Sequence, residues 1–327
     1  MTLTLRRLLS KWYHKLSFLL SGISYYYNDM VYFRKQSNLG AKNNSEERMR
    51  ASLTASYHII EKGLSMPNRR LGFGQERLIL LIKECERYYK LYGEHMQLEY
   101  AISIVKEYDE LHKRENYKLE NNIQRMIDGL LSCFPQVKSA TQLSFTKKEY
   151  FAQIKAPFDT FSASRHSMRP FGGHVAIGTI EKAVELAKNA PSACNKQPVR
   201  IHLITDKEKI AQVLEMQQGT RGFGQDIDKV LIITTQFSGC TRYSERYMPF
   251  MDAGIFTMNL LYALHFYEVG AIPLVWLNSK KRDSILRALV GIPEFEMPAI
   301  ILGIGDVSDE IVCALSPRLD TQELLTE

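Results

Sequence analysis

The sequence predicts an α+β protein in two unlike parts: an all-helical N-terminal region over residues 1–150, and a sheet covered by helices over residues 151–327. Three observations carry this. Up to about residue 133, apolar side chains recur only at helical spacing. From Thr179 onward, helical stripes alternate with β-branched runs, as in a sheet with helices on both faces. Charge divides at the same place. Residues 1–150 hold 24 Lys and Arg against 16 Asp and Glu, a net +8, whereas residues 151–327 hold 18 against 20, a net −2. Two units with different tasks are expected.

Composition narrows the class. A chain of 327 residues is long enough for two domains at roughly 100–200 residues each. With 45% hydrophobic and 24% charged residues it cannot be wholly disordered. The five cysteines, Cys85, Cys133, Cys194, Cys240 and Cys313, are odd in number and form no CxxC pair. They read as free thiols of a reducing compartment, hence a cytoplasmic protein, and offer no metal-ligand spacing. No apolar run approaches the ~20 residues of a membrane span.

Within the N-terminal region, residues 3–20 place Leu5, Leu8, Leu9, Trp12, Leu16 and Leu19 on one helical stripe, with Arg6, Arg7, Lys11, His14 and Lys15 mostly off it. Such a helix either docks on its own protein, the reading favoured here, or lies on an anionic membrane surface. The charges interrupting the run argue against a cleaved secretory signal. Segment 36–46 reads as a loop. Ser45 is a candidate N-cap for a helix over 46–64, with Glu46 and Glu47 in its first turn and Gly63 and Pro67 at its end. On that helix His58, Glu61 and Lys62 share a face. Arg69, Arg70 and Gly72-Phe73-Gly74 follow. The stretch is either an anion or substrate lid or a salt-bridged helix end with a Gly-rich turn. Residues 75–133 predict three further helices.

In the C-terminal region Ile180, Ala183, Val184 and Ala187 mark a helix capped by Thr179 and stopped by Pro191. Strands are expected at 199–205, 229–236, 272–277 and 298–304, and helices at 207–216, 250–269 and 280–289. The helix at 250–269 is apolar nearly all round, which buries it in a core or a subunit interface.

Several chemistries lack their motifs. Gly222-Phe223-Gly224 and Gly303-Ile304-Gly305 miss the third glycine of a dinucleotide turn, and no P-loop, GxSxG or HExxH occurs. Basic residues are not interleaved with aromatics, so nucleic acid is not expected. What remains is Ser164–Phe171 (SRHSMRPF). Pro170 disfavours helix at Arg169. In an extended run Arg165, Ser167 and Arg169 fall on one side, two guanidinium forks and a hydroxyl suited to a phosphate. A second signal is 190–198 (APSACNKQP), where Ser192, Asn195 and Gln197 stand in a proline-bounded turn.

In this order, the SRxSxRxF-like run, the APSAxNxQP-like turn about 25 residues on, DAGxxxxNLLxA at Asp252–Ala263 and a late Pro317-Arg318 resemble the nitroreductase family of flavoproteins over roughly residues 160–325. The resemblance implies a nitroreductase-like three-layer sandwich, helices around a mixed β-sheet, and a homodimer with FMN at the interface. It implies ping-pong hydride transfer from NAD(P)H through flavin N5 to a small-molecule acceptor. Carried over by position, Arg165, His166 and Ser167 would hold the phosphate and ribityl chain, and Arg318 would reach the phosphate. Arg169 would sit by the flavin N1/O2 edge, where a permanent cation stabilises the reduced state. Pro191, Ser192, Asn195 and Gln197 would serve the cofactor from the 190–198 turn, Pro191, Ser192 and Asn195 from the partner subunit. The segment Thr220–Phe223 would border the ring, with Thr220 where many relatives carry Asn, and the end of the 273–278 strand would pass near N5. No catalytic side chain is implied, because the flavin carries the chemistry.

The short stretch between Thr205 and Lys229 departs from relatives whose excursion there covers the flavin. The helical region, through His58–Gly74, is expected to supply that cover. The alternative reading is a flavin-free scaffold or interaction protein that keeps the fold.

Overall fold

Helical spacing in the N-terminal unit becomes helix where it was expected. The computed structural model describes residues 3–39, 45–67, 69–276 and 279–325. Helices α1 (Leu3–Gln36), α2 (Glu46–Leu64), α3 (Gln75–Tyr92), α4 (Met96–Arg114) and α5 (Asn121–Cys133) succeed one another. Helices α2 to α5 bury one stripe each, including Leu53, Tyr57 and Ile60 of α2, Leu81 and Cys85 of α3, Ile102 and Val105 of α4, and Ile127 of α5. These form one core, so amphipathic helices that could not stand alone stabilise each other. Residues 40–44 of the expected 36–46 loop lie outside the described residues.

Helix α1 corrects an expectation. It runs 34 residues, about 50 Å at 1.5 Å per residue, and is not docked along its stripe. Trp12, Leu16 and Leu19 are exposed, Trp12 at 72%. Leu5, Leu8 and Leu9 lie outside the residues whose side chains are described. The helix touches the C-terminal unit at one patch: Asp29 pairs with Arg246, and Phe18 and Tyr26 meet the Tyr243 ring. Gly22 permits that approach, because a Cβ there would come within 2.5 Å of the ring. Among the described residues no helix is long and apolar enough to cross a membrane.

The C-terminal unit opens with three short elements that hydrophobic spacing did not mark: β1 (Leu143–Thr146), α6 (Lys147–Tyr150) and α7 (Phe158–Ser164). Then follow β2 (Phe171–Gly173), α8 (Ile177–Ala187), β3 (Val199–Ile204), α9 (Lys207–Gln217), β4 (Lys229–Gln236), α10 (Met248–Phe266), β5 (Gly270–Val275), α11 (Lys280–Val290), β6 (Glu296–Val307), β7 (Glu310–Cys313) and α12 (Thr321–Leu324). Thr179 falls inside α8, whose N-cap position is Ala176.

The sheet runs β2-β6-β4-β3, with β5 also on β6, and β1 pairs separately with β7. A mixed sheet was expected. Every pairing among the described residues is antiparallel instead. Hydrophobic pattern is blind to strand direction. After α9, residues 218–228 return the chain to the end of the sheet it had left, so β4 runs back against β3.

Alternation along β4 builds the three layers. Val230 and Ile232 face α9 and α11 through Ile210, Val213 and Leu286. Leu231 and Ile233 face α8 and α10 through Ile180, Ala183, Leu260 and Leu264. With both faces covered, β4 is a continuous apolar run rather than an alternating one.

Candidate functional site

The arginine run follows α7 and ends where Pro170 forbids helix. Residues 165–169 are extended beside the start of β5, with the Met168 N–H donating to the Ala271 carbonyl at 3.0 Å. Extended backbone alternates its side chains. Met168 is therefore fully buried in the core, while Arg165, Ser167 and Arg169 turn to the other side.

That side is the wall of a cavity of about 1020 Å³. His166 also reaches it, held by Tyr150, whose hydroxyl accepts from the His166 N–H and donates to the His166 carbonyl, both at 3.2 Å. Arg318 enters from the C-terminal segment, and Pro273, Leu274 and Val275 come from β5. Leu277 and Asn278 of the expected strand end lie outside the described residues. The fourth wall is α2 of the helical unit, through Thr54, Tyr57, His58, Glu61 and Lys62. The shared face of His58, Glu61 and Lys62 was legible in the sequence; Tyr57 and Tyr262 carried no signal that set them apart from core aromatics. Arg69 to Gly74, proposed with them as a lid, do not line the cavity. The Gly72 N–H donates to His112 Nε2 at 2.9 Å and the Phe73 carbonyl accepts from the Tyr108 hydroxyl at 2.8 Å, so that turn is a structural closure of the bundle.

Electrostatics make the cavity cationic. Arg169 is only 5% exposed, and its Nε lies buried without a hydrogen-bond partner. The same holds for Nε and Nη1 of Arg165. Leaving a buried donor unsatisfied costs roughly 1–3 kcal/mol, more when charged, so these groups are poised for an acceptor. Burial, reinforced by Arg165 and Arg318, pushes the His166 ring below its ordinary pKa. Burial and then Arg169 do the same to the Lys62 ammonium. Glu61 is the one carboxylate among the lining residues. Burial would push it up, but hydrogen bonds from His58, Tyr100 and the Ser316 backbone outweigh this and hold it ionised.

The 190–198 turn stands apart. Pro191, Ser192, Asn195 and Gln197 are not among the cavity-lining residues of the same chain. Cys194, Asn195 and Gln197 have φ of 51°, 54° and 47°, a left-handed backbone that costs of order 1 kcal/mol or more for each such residue. Two contacts hold it. The Ala193 N–H donates to Asp252 Oδ1 at 3.0 Å, and the Gln197 N–H to Ser192 Oγ at 3.0 Å. Asn259 fixes the preceding helix end through the Ala187 carbonyl at 3.0 Å. The DAGxxxxN residues thus brace the turn from α10. Thr220 is buried in a tight turn, its carbonyl accepting from the Phe223 and Gly224 N–H groups, while its neighbour Gly219 lines the cavity.

This arginine segment and the turn after it match a known family: residues 163–220 fit the model described as the Nitroreductase family. A protein of Archaeoglobus fulgidus, named as a candidate NADH dehydrogenase/NAD(P)H nitroreductase, is 27% identical over 150 residues, which is 45% of this chain and 83% of that protein. Among solved structures, NfrA2 of B. megaterium is similar at 21% identity, covering 51% of this chain and 72% of its own, with a TM-score of 0.45. Nitroreductase A of Vibrio parahaemolyticus is similar at 17% identity, 52% and 74% coverage, and a TM-score of 0.46. The helical unit that supplies the fourth wall lies outside the family match, which begins at residue 163.

Proposed function

We propose that the chain is an FMN-dependent oxidoreductase of the nitroreductase type, taking hydride from NAD(P)H and reducing a small-molecule acceptor in ping-pong order. The observation that carries this is that Arg165 and Arg169 line the cavity while burying guanidinium N–H groups that have no acceptor of their own. The residues fit the cofactor. The cavity is at the top of the roughly 300–1,000 Å³ range of ligand pockets. Arg165, Ser167 and Arg318 would hold a phosphate, Arg169 would set a fixed positive charge beside the ring, and Pro273 to Val275 offer it an apolar wall. Bound there, the flavin supplies the redox chemistry, and the protein supplies binding, orientation and electrostatics.

We read the protein as a homodimer. Phe250, Met251, Ile255 and Met258 leave an exposed apolar face on α10, and the braced 190–198 turn, absent from its own chain's cavity, suits a role in a partner's. Exposed Trp12, Leu16 and Leu19, beside exposed Lys11 and Lys15, suit a peripheral contact with an anionic membrane on a cytoplasmic protein. Sedimentation with anionic but not neutral vesicles tests that contact.

The flavin-free scaffold makes a different forecast. A visible spectrum of the purified protein, with and without added FMN, separates the readings. A chain that stays colourless with FMN present is the scaffold.

A further inference from the structure

The helical unit brings a cation to the cavity that the flavin reading does not use. Lys62 lies on α2, half-buried, and among the described residues its ammonium has no hydrogen bond or ion pair. The adjacent carboxylate does not neutralise it. Glu61 is fully buried, and its two oxygens are committed to the Tyr100 hydroxyl at 2.6 Å, the Ser316 N–H at 2.7 Å, the Ser316 hydroxyl at 3.2 Å and His58 Nδ1 at 2.9 Å. Successive helical residues diverge by about 100°, so Glu61 points into the packed junction while Lys62 turns to the open cavity.

Charge accounting gives this lysine a task. Of the four cations that line the cavity, the flavin reading assigns Arg165 and Arg318 to the phosphate and Arg169 to the ring, which leaves Lys62 without an anion. A phosphate monoester is at most a dianion, which Arg165 and Arg318 match without Lys62. Lys62 already feels Arg169, and that repulsion falls when an anion enters between them.

We propose that Lys62 is the anion ligand for the second molecule in this cavity, gripping a carboxylate or phosphate of the substrate that follows the flavin in. The inference rests on the flavin reading and deepens it: the C-terminal unit holds the cofactor, and the appended helical unit selects an anionic substrate. The anionic group belongs either to the acceptor or to the nicotinamide nucleotide.

The test uses the full flavin-loaded protein and Lys62→Met, which keeps the length of the stem, with Lys62→Arg as the conservative partner. FMN affinity is read by titration. Binding of 4-nitrobenzoate and of neutral 4-nitrobenzyl alcohol is read from the flavin spectrum, and KM is measured for NADH. Expected for Lys62→Met is an unchanged FMN affinity, an unchanged affinity for the alcohol, and a loss of roughly tenfold or more for an anionic ligand. A loss confined to 4-nitrobenzoate assigns the anion to the acceptor, and one confined to NADH assigns it to the nucleotide. Lys62→Arg should restore most of the loss. Weakened FMN binding in Lys62→Met, or no change for either anionic ligand, overturns the proposal. Wild-type protein that takes up no FMN overturns the flavin reading and this inference with it, an outcome visible before any variant is made.

Discussion

Glu61, in the second helix of the appended unit, accepts the backbone N–H of Ser316 at 2.7 Å, across 255 residues of sequence. Ser316 is left-handed, with φ of 46°, and it is followed by Pro317 and Arg318. Arg318 Nη1 donates back to the Ser316 carbonyl at 2.5 Å. A carboxylate of the helical unit thus fixes the turn that delivers an arginine to a cavity lined by both units. The two units are joined at the site itself.

Replacing Glu61 with Gln should therefore act in two places. The amide keeps one acceptor but turns an N–H₂ toward donors, so fold stability should drop by about 2 kcal/mol, the scale of a charged hydrogen bond lost at a buried site. FMN affinity should fall as well, because the Ser316–Arg318 turn loosens. Tyr100→Phe removes one donor to the same carboxylate and leaves the Ser316 contact, so it should lower stability with little change in FMN affinity. Denaturant melts and FMN titrations of both variants check the split; equal effects on FMN would show that Glu61 acts only on the fold.

Arg165 lines the cavity, and its Nε and Nη1 are buried without a hydrogen-bond partner. Arg165→Ala should cost FMN affinity roughly 1.5–3 kcal/mol, about ten- to a hundredfold in Kd. Thermal stability should hold or rise, since a buried cation without a partner is removed. Undiminished FMN binding would place the phosphate elsewhere.

Asp252 braces the strained turn at Ala193. Asp252→Ala leaves a peptide N–H without its acceptor next to three left-handed residues, and should cost about 1–3 kcal/mol. If the turn serves a partner's cavity, the variant should also lose flavin in the dimer. Differential scanning calorimetry with a flavin-release assay reads both.

How much of this was legible in sequence depended on which force set each element. Helix α2 and strand β4 were read to their termini, at 46–64 and 229–236, because burial of one stripe, or of both faces, writes itself into residue spacing. Arg165, Ser167 and Arg169 were placed on one side because Pro170 fixes the backbone locally. Long-range features were not legible. Antiparallel pairing throughout the sheet, the β1–β7 pair and the meeting of Glu61 with Ser316 depend on where distant segments land, and no spacing records that. Helix α1 misled for the opposite reason: its stripe is plain in sequence, but a stripe does not say what covers it.

The buried His265 supplies a dependence on pH that can be assigned to one residue. Its Nε2 meets the Ser164 hydroxyl at 2.8 Å, its Nδ1 is buried without a partner, and Tyr150, Phe151 and Phe161 ring it with aromatic faces. Burial first, and then Arg165 and His166, push its pKa from 6.5 down to about 4. In the unfolded chain the ring takes up a proton near pH 6.5, whereas in the folded chain it resists until about pH 4. Between those values the unfolded state binds more protons, so stability falls as pH falls through this window and is fully present above it. A proton affinity lowered that far in the folded chain makes the contribution about 3 kcal/mol. His112 and His166 are lowered as well and share the trend, so the test is a difference between variants. His265→Phe keeps the aromatic packing and abolishes the titration. Urea unfolding at pH 7 and pH 4.5 should show a smaller stability loss in the variant than in the wild type, by about 2 kcal/mol. Parallel losses in the two proteins would mean that His265 titrates normally and that the cationic wall behind it is more hydrated than its burial implies.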